Sequence, residues 1–316
     1  MSPPLLILGV RRSGTTLLRV ILDRSSEISI PDESYFVPQL AHRHRGTVDP
    51  DRFLDDLRRL PTLREWEVDP DAVRIRMHPC MRVGEAIAAV FEAYAERHGK
   101  PRWGDKTPMY MQHLTLLESL FPDALYLHLL RDGRDAALSF LSMPAGLVTE
   151  TWAHPRGAAG FACQWRTEIA AARTLGARLG AGRYLEARYE ELVSDAERQV
   201  RSICAFADLP FEPAMLEYAG AVDVSQKPHQ QRLREPPTPG VRNWRSQMTH
   251  SDALAFEAIA GDVLADLGYE LLEPYATRST RRLPIAWYRS RMDVWNAAAH
   301  VTQRSPLWRR RHPRLF

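Results

Sequence analysis

Apolar residues follow two alternating patterns along the chain. Apolar or β-rich runs of strand length lie at 5–10, 124–130 and 184–187, and a further short strand is expected at 102–104. Between these runs, apolar residues recur every three or four positions, which is the spacing of one helix face. The helical stretches are 15–23, 109–120, 132–140, 161–179, 195–206 and 252–267. Strands that alternate with helices predict an α/β fold whose strands form a parallel sheet.

The long interval between the first helix and the second strand has a helical pattern of its own. Residues 33–98 contain two periodic apolar sets, one within 53–60 and one within 83–94. We therefore expect a helical insertion there. The chain shows no internal repeat, and no linker precedes the region of residue 275. The pattern predicts one domain over 1–275, followed by an Arg/Trp-rich basic extension over 276–316.

The charge distribution sets this extension apart. Residues 277–316 hold ten Arg and one Asp, whereas the rest of the chain holds 32 basic and 38 acidic residues. The net charge is therefore +9 for the tail and −6 for the body, or +3 for the whole chain. We expect the tail to dock on the acidic body, with contact to a membrane surface or to a second copy of the chain as alternatives. No recognition motif accompanies the charge, so nucleic acid is not an expected partner.

Cysteine usage and hydropathy bear on the class of protein. Cys80, Cys163 and Cys204 are far apart and form no CxxC pair, which argues against a zinc ribbon, an iron–sulfur site and a disulfide-knit secreted module. The apolar run near the N-terminus is too short for a signal-peptide core or a membrane span. We therefore expect a cytoplasmic protein, whose tail would meet the inner face of the membrane if it binds lipid.

The turn before the first helix has the sequence GVRRSGTT over 9–16. Its GxxxxG spacing between a strand and a helix is that of a phosphate-binding loop, in which backbone N–H groups form an anion nest. Thr15 stands where a nucleoside-triphosphate loop needs a lysine. Arg12, Ser13, Thr15 and Thr16 can all donate hydrogen bonds to an anion. The alternative is a turn that only joins the strand to the helix.

A second basic turn follows the strand at 124–130. Arg131 lies at the strand end, and Ser139 lies eight residues further along, within the next helix. Because ligands of open α/β sheets bind at the carboxyl ends of the strands, this pair is a candidate grip for a second phosphate. The alternative is a charged surface turn in which Arg131 and Arg134 pair with Asp132 and Asp135.

Lysine is scarce in this chain, which draws attention to Lys106. The other lysines are Lys100 and Lys227. Lys106 precedes Thr-Pro in the segment WGDKTP, and proline restricts the backbone before it. Lys106 is thus a candidate electrophilic group, with an ordinary surface lysine as the alternative.

Three segments together resemble a known family. The segments GVRRSGTTL at 9–17, GDKTP at 104–108 and LRDGRDAALS at 130–139 are similar to the signatures of sulfotransferases that use 3′-phosphoadenosine 5′-phosphosulfate, PAPS. YEELV at 189–193 and GVRNW at 240–244 fit in order, so the resemblance spans roughly 5–270. It is nearest to the bacterial branch related to tyrosylprotein sulfotransferases. Arg11 is a departure, because relatives often have proline there.

The resemblance implies a P-loop-like parallel sheet flanked by helices, and it implies PAPS as co-substrate. Five residues would hold the 5′-phosphosulfate: Arg12, Ser13, Gly14, Thr15 and Thr16. Arg131 and Ser139 would hold the 3′-phosphate, and Tyr189 would pack near the nucleotide. One arginine of the late loop would close over the 3′-phosphate, and the sequence leaves Arg232, Arg234 and Arg242 as candidates. No metal is implied.

The resemblance also implies a general base, Glu33, which follows the first helix as in the tyrosylprotein branch. Lys106 and Arg12 would stabilise the charge that develops on the transferring group. Asp32 is the near alternative as base, and four histidines are further alternatives: His42, His44, His78 and His113. For Glu33 itself, the alternative is a carboxylate that favours a helix N-terminus through the helix dipole.

The function expected from these features is transfer of a sulfuryl group from PAPS to a hydroxyl of a small-molecule, glycolipid or natural-product alcohol or phenol. A tyrosyl-peptide sulfotransferase, a P-loop kinase of a small alcohol and a non-catalytic nucleotide-binding module are the alternatives. Thr15 in place of lysine argues against the kinase. We expect the segments 33–98, 142–156 and 226–245 to shape the acceptor pocket.

Overall fold

A five-stranded parallel sheet forms the centre of the molecule. The computed structural model describes residues 2–143, 155, 157–219 and 243–272, together with isolated positions between 286 and 298. The strands are β1 (Leu5–Leu8), β2 (Ile28–Ser29), β3 (Arg102–Asp105), β4 (Leu125–Leu130) and β5 (Tyr184–Arg188). Their order is β2-β3-β1-β4-β5, and every neighbouring pair is parallel. The predicted α/β fold with a parallel sheet is confirmed.

Helices cover both faces of this sheet. They are α1 (Thr15–Asp23), α2 (Val37–Arg43), α3 (Pro50–Leu57), α4 (Pro61–Glu65), α5 (Pro70–Arg76), α6 (Val83–Arg97), α7 (Leu114–Leu120), α8 (Gly133–Leu141), α9 (Ala158–Leu179), α10 (Tyr189–Ser194), α11 (Ala196–Ala207), α12 (Trp244–Gln247) and α13 (His250–Asp266). Two 3-10 helices lie at Pro108–Gln112 and Pro213–Leu216. None of the helices in the described part of the chain is long and apolar enough to span a bilayer.

The apolar strands are buried on both faces because successive side chains point to opposite sides of a strand. Leu5 and Ile7 of β1 pack with α1 and α11 on one face. Leu6 and Leu8 pack with the insertion and with α9 and α13 on the other face. The continuous apolar runs of the sequence therefore indicate a sheet that helices cover on both faces.

The predicted helical insertion is confirmed, since α2 to α6 fall within it. Its core is a cluster of aromatic rings that reaches the sheet through Trp103 of β3. The rings of Phe91 and Trp103 stack with centroids 4.6 Å apart, and Phe36 lies 5.6 Å from Phe91. Aromatic burial thus fixes the insertion on the edge of the sheet that carries β2 and β3.

The segments 5–10 and 109–120 differ from their predicted structure. The strand predicted at 5–10 ends at Leu8, because the following turn needs left-handed backbone at Arg12 (φ 70°) and Gly14 (φ 92°). The single helix predicted at 109–120 is wrong. The chain forms a 3-10 helix to Gln112, and His113, with non-helical φ −126° and ψ 23°, separates it from α7. The boundary predicted near residue 275 stays a prediction, since it lies outside the described residues.

One buried cation ties the C-terminal helices to the sheet. Arg134 of α8 is fully buried and pairs with Asp132 at 2.7 Å and with Glu257 of α13 at 2.6 Å. Its guanidinium lies 3.7 Å from the centre of the Trp244 ring of α12. This cluster joins α8, α12 and α13 at the end of β4. The pairing of Arg134 with Asp132 was expected for a charged surface turn, but the cluster is buried.

Replacing Arg134 by methionine should strongly destabilise the fold, because Asp132 and Glu257 would stay buried without their cation. We expect Arg134→Met to lower the free energy of unfolding by about 3–5 kcal/mol. The matched control is Arg198→Met, which removes an exposed pair with Asp195 and should cost less than about 1 kcal/mol. Urea unfolding of the three proteins measures both values. Equal losses would show that the buried cluster is not a special source of stability.

Candidate active site

The motifs singled out in the sequence meet at one edge of the sheet. The loop 9–14 follows β1, Lys106 follows β3, Arg131 follows β4 and Tyr189 follows β5. Since all five strands are parallel, these positions are at the carboxyl ends of the strands, where open α/β sheets bind their ligands. The topology therefore brings together residues that are up to 180 positions apart in the chain.

The loop after β1 has the geometry of an anion-binding turn. Gly14 is the N-cap of α1, in left-handed backbone, and no side chain caps the helix there. The N–H groups of the first turn of α1 are consequently available to a ligand, at the positive end of the helix dipole. A Cβ on Gly14 would lie 2.3 Å from the Tyr189 ring, so close packing as well as backbone conformation requires glycine.

Two buried polar atoms in this region lack partners. Ser13 is 0% exposed, and its Oγ has no hydrogen-bond partner among the described residues. Arg131 is 7% exposed, and its Nε is likewise without a partner in the described part of the chain. A buried donor left unpaired costs about 1–3 kcal/mol. Phosphate groups bound at this surface would satisfy these two donors, so the residues present fit a phosphate-bearing ligand.

The two predicted anion grips are in direct contact. Arg131 donates to the backbone carbonyl of Arg12 at 2.9 Å, and its guanidinium lies 4.3 Å from the centre of the Tyr189 ring. Arg12 donates through Nε to the Oγ of Ser139 at 3.1 Å. The loop after β1 and the turn after β4 therefore form one surface. The Arg131 guanidinium contacts the loop and the Tyr189 ring. The alternative of a charged surface turn had predicted that it pairs with a neighbouring aspartate.

Lys106 and Glu33 form an ion pair beside the loop. The Lys106 side chain is 0% exposed, and its Nζ lies 2.5 Å from Glu33 Oε1 and 3.3 Å from Thr16 Oγ1. Tyr35 donates its hydroxyl to the other carboxylate oxygen of Glu33. The surface-lysine alternative is wrong because Lys106 is buried. The helix-cap alternative for Glu33 is also wrong, because α2 begins at Val37 and Glu33 bonds to Lys106 instead.

The electrostatics of this pair keep Glu33 ionised. Burial acts to raise the pKa of Glu33, but the Lys106 ammonium and the hydrogen bonds from Lys106 and Tyr35 outweigh it, so the pKa lies below the usual value for glutamate. Burial lowers the pKa of Lys106, and the Glu33 carboxylate opposes that shift. The site thus holds a carboxylate next to a cation that has little contact with water.

The other residues considered as bases have different surroundings. Asp32 pairs with Arg19 at 3.1 Å. His44 is buried and bonds to Asp56 at 3.0 Å, and His78 is exposed. His42 and His113 line a cavity whose lining includes none of the site residues described above. Glu33 is the carboxylate that the structure places against Lys106.

A buried polar network fixes Glu33 relative to Lys106, and sequence analysis missed it. The Ser34 N–H donates to Thr107 Oγ1 at 3.0 Å, and the Ser34 hydroxyl lies 2.7 Å from the Tyr110 hydroxyl. Tyr110 also accepts from the Val37 N–H at 3.1 Å, and Thr107 donates to Asp105 at 3.2 Å. The available signal was the cluster of polar residues around Lys106. The network locks the loop before α2 to the end of β3.

Some predicted features lie outside the described residues. These are the late-loop arginines Arg232, Arg234 and Arg242, most of the segment 142–156, and almost all of the basic extension. Within the part of the chain that is described, no three His, Cys, Asp or Glu side chains are grouped so that they could hold a metal ion.

Comparison with known proteins finds sulfotransferases, in agreement with the resemblance of the three sequence segments. The family model described as "Sulfotransferase family" matches residues 3–213. Protein-tyrosine sulfotransferase A of Caenorhabditis elegans is 28% identical over 223 residues, covering 69% of this chain and 53% of the relative. Human protein-tyrosine sulfotransferase 1 is 25% identical over 288 residues, covering 87% and 70%. The chain spans about half the length of the first of these relatives.

A solved structure shares the fold. The sulfotransferase domain from the curacin biosynthetic pathway superposes with a TM-score of 0.59 at 21% identity, covering 86% of this chain and 99% of that domain. This likeness concerns the fold, and it agrees with the sheet order and flanking helices described above.

The network predicts a pH dependence of stability through Asp105. Burial raises the pKa of Asp105 to about 7, although Ser34, Lys106 and Thr107 oppose the shift. The folded state therefore holds its proton more tightly than the unfolded state, and this group makes stability fall as pH rises from about 4 to about 7.

Asp105→Asn removes that titration, so the stability of the variant relative to the native chain should increase over this pH range, by at most about 1.4 kcal/mol per pH unit. Urea unfolding at several pH values between 4.5 and 7.5 measures the difference. Asp55→Asn, on the exposed face of α3, controls for loss of one negative charge. Parallel curves for Asp105→Asn and the native chain would contradict the prediction.

Proposed function

Because the chain belongs to the sulfotransferase family, we propose that it transfers the sulfuryl group of PAPS to a hydroxyl group of an acceptor and releases 3′-phosphoadenosine 5′-phosphate, PAP. In this reaction the bond between sulfur and the bridging oxygen of PAPS breaks. A new bond forms between sulfur and the acceptor oxygen, and the proton of the acceptor hydroxyl passes to a base.

The observation that carries the proposal is the buried Lys106–Glu33 pair next to the anion loop. Lys106 Nζ contacts both Glu33 and Thr16 of α1, so the base and the phosphate-binding loop share one cation. Loose group transfer needs positioning and charge stabilisation more than covalent work by the protein. A carboxylate, a buried ammonium and a donor-lined loop supply these requirements together.

The anion-binding surface suits a ligand with two separated phosphates. Backbone and side-chain donors of the loop after β1 would bind the 5′-phosphosulfate through Arg12, Ser13, Gly14, Thr15 and Thr16. Arg131 and Ser139 would bind the 3′-phosphate, and Tyr189 would flank the nucleotide. The unpaired Ser13 Oγ and Arg131 Nε support this assignment, because each would gain a partner from a bound phosphate. Thr15 in place of lysine disfavours a γ-phosphate and hence the kinase alternative.

Glu33 acts as the general base in this mechanism, and Lys106 acts on the leaving group. Glu33 is ionised and can accept the acceptor proton. Lys106 donates to oxygens of the transferring group and stabilises the charge that grows on the bridging oxygen, together with Arg12. When Lys106 binds those oxygens, its ammonium stabilises the Glu33 carboxylate less. The proton affinity of Glu33 then rises at the step that needs a base.

For the acceptor, we favour a small-molecule, glycolipid or natural-product alcohol or phenol. A tyrosyl peptide is the second candidate, because the relatives compared above carry the name protein-tyrosine sulfotransferase. We keep the basic extension, which begins at about residue 276, as a proposed contact for a membrane surface or a second copy of the chain. A cytoplasmic location remains part of the proposal.

Calorimetry with PAP and with magnesium ATP tests the choice of nucleotide. We expect PAP to bind at least about tenfold more tightly, which corresponds to about 1.4 kcal/mol, because two anion grips match its two phosphates. An Arg131→Gln variant should lose most of this preference. Tighter binding of magnesium ATP would move the protein to the kinase class.

Substitution of Glu33 and Lys106 tests the assigned chemistry. Glu33→Gln keeps the shape of the side chain and should lower kcat by about 100-fold or more, while PAP affinity stays within about threefold. Lys106→Ala should also impair turnover more than PAP affinity. Asp32→Asn is the matched control, since it neutralises the neighbouring carboxylate that pairs with Arg19, and kcat should change little. Release of PAP from PAPS in the presence of a screened acceptor provides the rates. If Asp32→Asn abolished turnover and Glu33→Gln did not, Asp32 would be the base.

A further inference from the structure

Tyr35 stands at the centre of a strained turn between the proposed base and the start of α2. Its backbone φ is 53°, in the left-handed region that bulky residues rarely adopt. The Phe36 N–H donates to the Ser34 carbonyl at 2.6 Å, so a hydrogen bond closes a three-residue turn around Tyr35. Strained backbone of this kind persists only where the surrounding structure holds it, and it clusters at functional sites. The side chain of Tyr35 is therefore a candidate for a role in the reaction.

Both neighbours of Tyr35 are anchored in the protein interior. The Ser34 hydroxyl lies 2.7 Å from the Tyr110 hydroxyl. On the other side, Phe36 is 2% exposed, and its ring centre lies 5.5 Å from that of Trp66. Tyr35 itself is 51% exposed. The anchored neighbours thus hold Tyr35 in left-handed backbone and leave its ring at the surface.

The Tyr35 hydroxyl occupies one oxygen of the proposed base. Lys106, whose side chain is 0% exposed, binds Glu33 Oε1, and the Tyr35 hydroxyl donates to Glu33 Oε2. The Glu33 side chain is 23% exposed. Because the buried Lys106 closes the inner side of the carboxylate, Glu33 meets solvent on the side where Tyr35 lies. A hydroxyl that approaches Glu33 from solvent must therefore take the position that the Tyr35 hydroxyl holds.

The anion loop lies close to this hydroxyl. Burial and the Glu33 carboxylate raise the pKa of Tyr35 well above its usual value, and Arg11 of the anion loop opposes them. The phenol thus stays protonated and acts as a hydrogen-bond donor to Glu33. Since Arg11 is near enough to act on Tyr35, the base, its phenol partner and the loop for the phosphosulfate are neighbours.

We propose that Tyr35 covers the base until the acceptor arrives, and that the acceptor hydroxyl displaces the Tyr35 hydroxyl from Glu33 Oε2 before transfer. This inference rests on the sulfotransferase function proposed above. The bond from Tyr35 is a substitute for the bond that the acceptor makes. Glu33 therefore keeps two donors before and after the exchange, and the buried carboxylate is never left with an unpaired oxygen.

Water is the competing reactant that this cover excludes. A water molecule on Glu33 Oε2 would pass a proton to Glu33 while its oxygen bonded to the sulfur of PAPS. The bond from sulfur to the bridging oxygen would break, and the products would be PAP and sulfate. Water brings no further contacts with which to displace Tyr35, whereas an acceptor binds through the rest of its surface. The cover therefore favours transfer over hydrolysis of PAPS.

Release of PAP from PAPS without any acceptor tests the cover. Tyr35→Phe keeps the ring and removes the hydroxyl, and we expect it to raise this rate about fivefold or more, because the base is then uncovered. Calorimetry should show an unchanged affinity for PAP. Loss of a residue that only stabilised the loop would lower the rate instead. A rate equal to or below that of the native protein overturns the inference.

Tyr184→Phe is the matched control. Tyr184 also donates to a carboxylate two residues away, Glu186 at 3.0 Å, but it lies at the amino end of β5, away from the carboxyl ends that carry the site. Its acceptor-free rate should equal the native rate. A rise as large as that in Tyr35→Phe would show that the effect is not specific to the base.

The double variant Tyr35→Phe with Glu33→Gln tests whether the added rate passes through Glu33. We expect the added rate to disappear, because the water molecule then has no base. An added rate that survives in the double variant contradicts the cover. If Tyr35→Phe fails to bind PAP, Tyr35→Asn provides the same comparison, since asparagine tolerates left-handed backbone and lacks the phenol.

An acceptor found by screening gives an independent readout. Because it no longer has to displace Tyr35, its KM should fall about fivefold in Tyr35→Phe, with kcat within about threefold. A fall in kcat with KM unchanged would show that Tyr35 orients Glu33 for the reaction, and it would overturn the cover.

These measurements separate the two proposals. Failure of the native protein to bind PAP would overturn the proposed function, and the cover with it. Binding of PAP together with an unchanged acceptor-free rate in Tyr35→Phe would overturn the cover alone and leave the sulfotransferase function standing.

Discussion

The buried ion pair between Lys106 and Glu33 constrains the rest of the site. A fully buried ammonium is costly without a partner, so the fold is more stable when Glu33 reaches the end of β3. Glu33 belongs to the loop before α2, more than seventy residues earlier in the chain. The hydrogen bonds of Ser34 and Tyr110 fix that loop in place. The polar network therefore holds Glu33 in position to pair with Lys106. The ion pair in turn helps to fix the insertion on the sheet.

The anion loop shows the opposite balance, because it keeps groups unsatisfied. Ser13 Oγ and Arg131 Nε are buried without partners in the described part of the molecule, and Gly14 leaves the start of α1 without a side-chain cap. Such groups lower the stability of the free protein and raise its affinity for an anion. The buried cluster around Arg134, close to Arg131 in the chain, is fully paired and offsets part of that cost. The end of β4 thus carries both a paired cluster that stabilises the fold and unpaired groups that can bind an anion.

Local patterns predicted four of the five strands and the longer helices, but they did not predict the two-residue strand β2. The parallel strands followed from apolar runs, and the anion loop followed from its glycine spacing. What the sequence could not supply were contacts across long separations, such as Arg12 with Ser139 or Arg134 with Glu257, 123 residues apart. The break at His113 was missed because apolar spacing alone does not distinguish a 3-10 turn from an α-helix. The sequence also could not show that Glu168 Oε2 and Gln164 Oε1 lack hydrogen-bond partners among the described residues, since only the packed helices reveal this.

Helix α9 contacts the proposed nucleotide grip and also lines the cavity. The Trp165 indole N–H donates to the backbone carbonyl of Arg131 at 3.2 Å, which fixes the helix to the proposed nucleotide grip. Ala171 and Leu175 of the same helix line the cavity. Arg166 pairs with Asp262 of α13, and α13 carries the Glu257 that binds Arg134. Because these bonds hold α9 on two faces, the nucleotide grip and one wall of the cavity are parts of the same packed unit. A helix of 22 residues therefore connects the proposed nucleotide grip with the cavity.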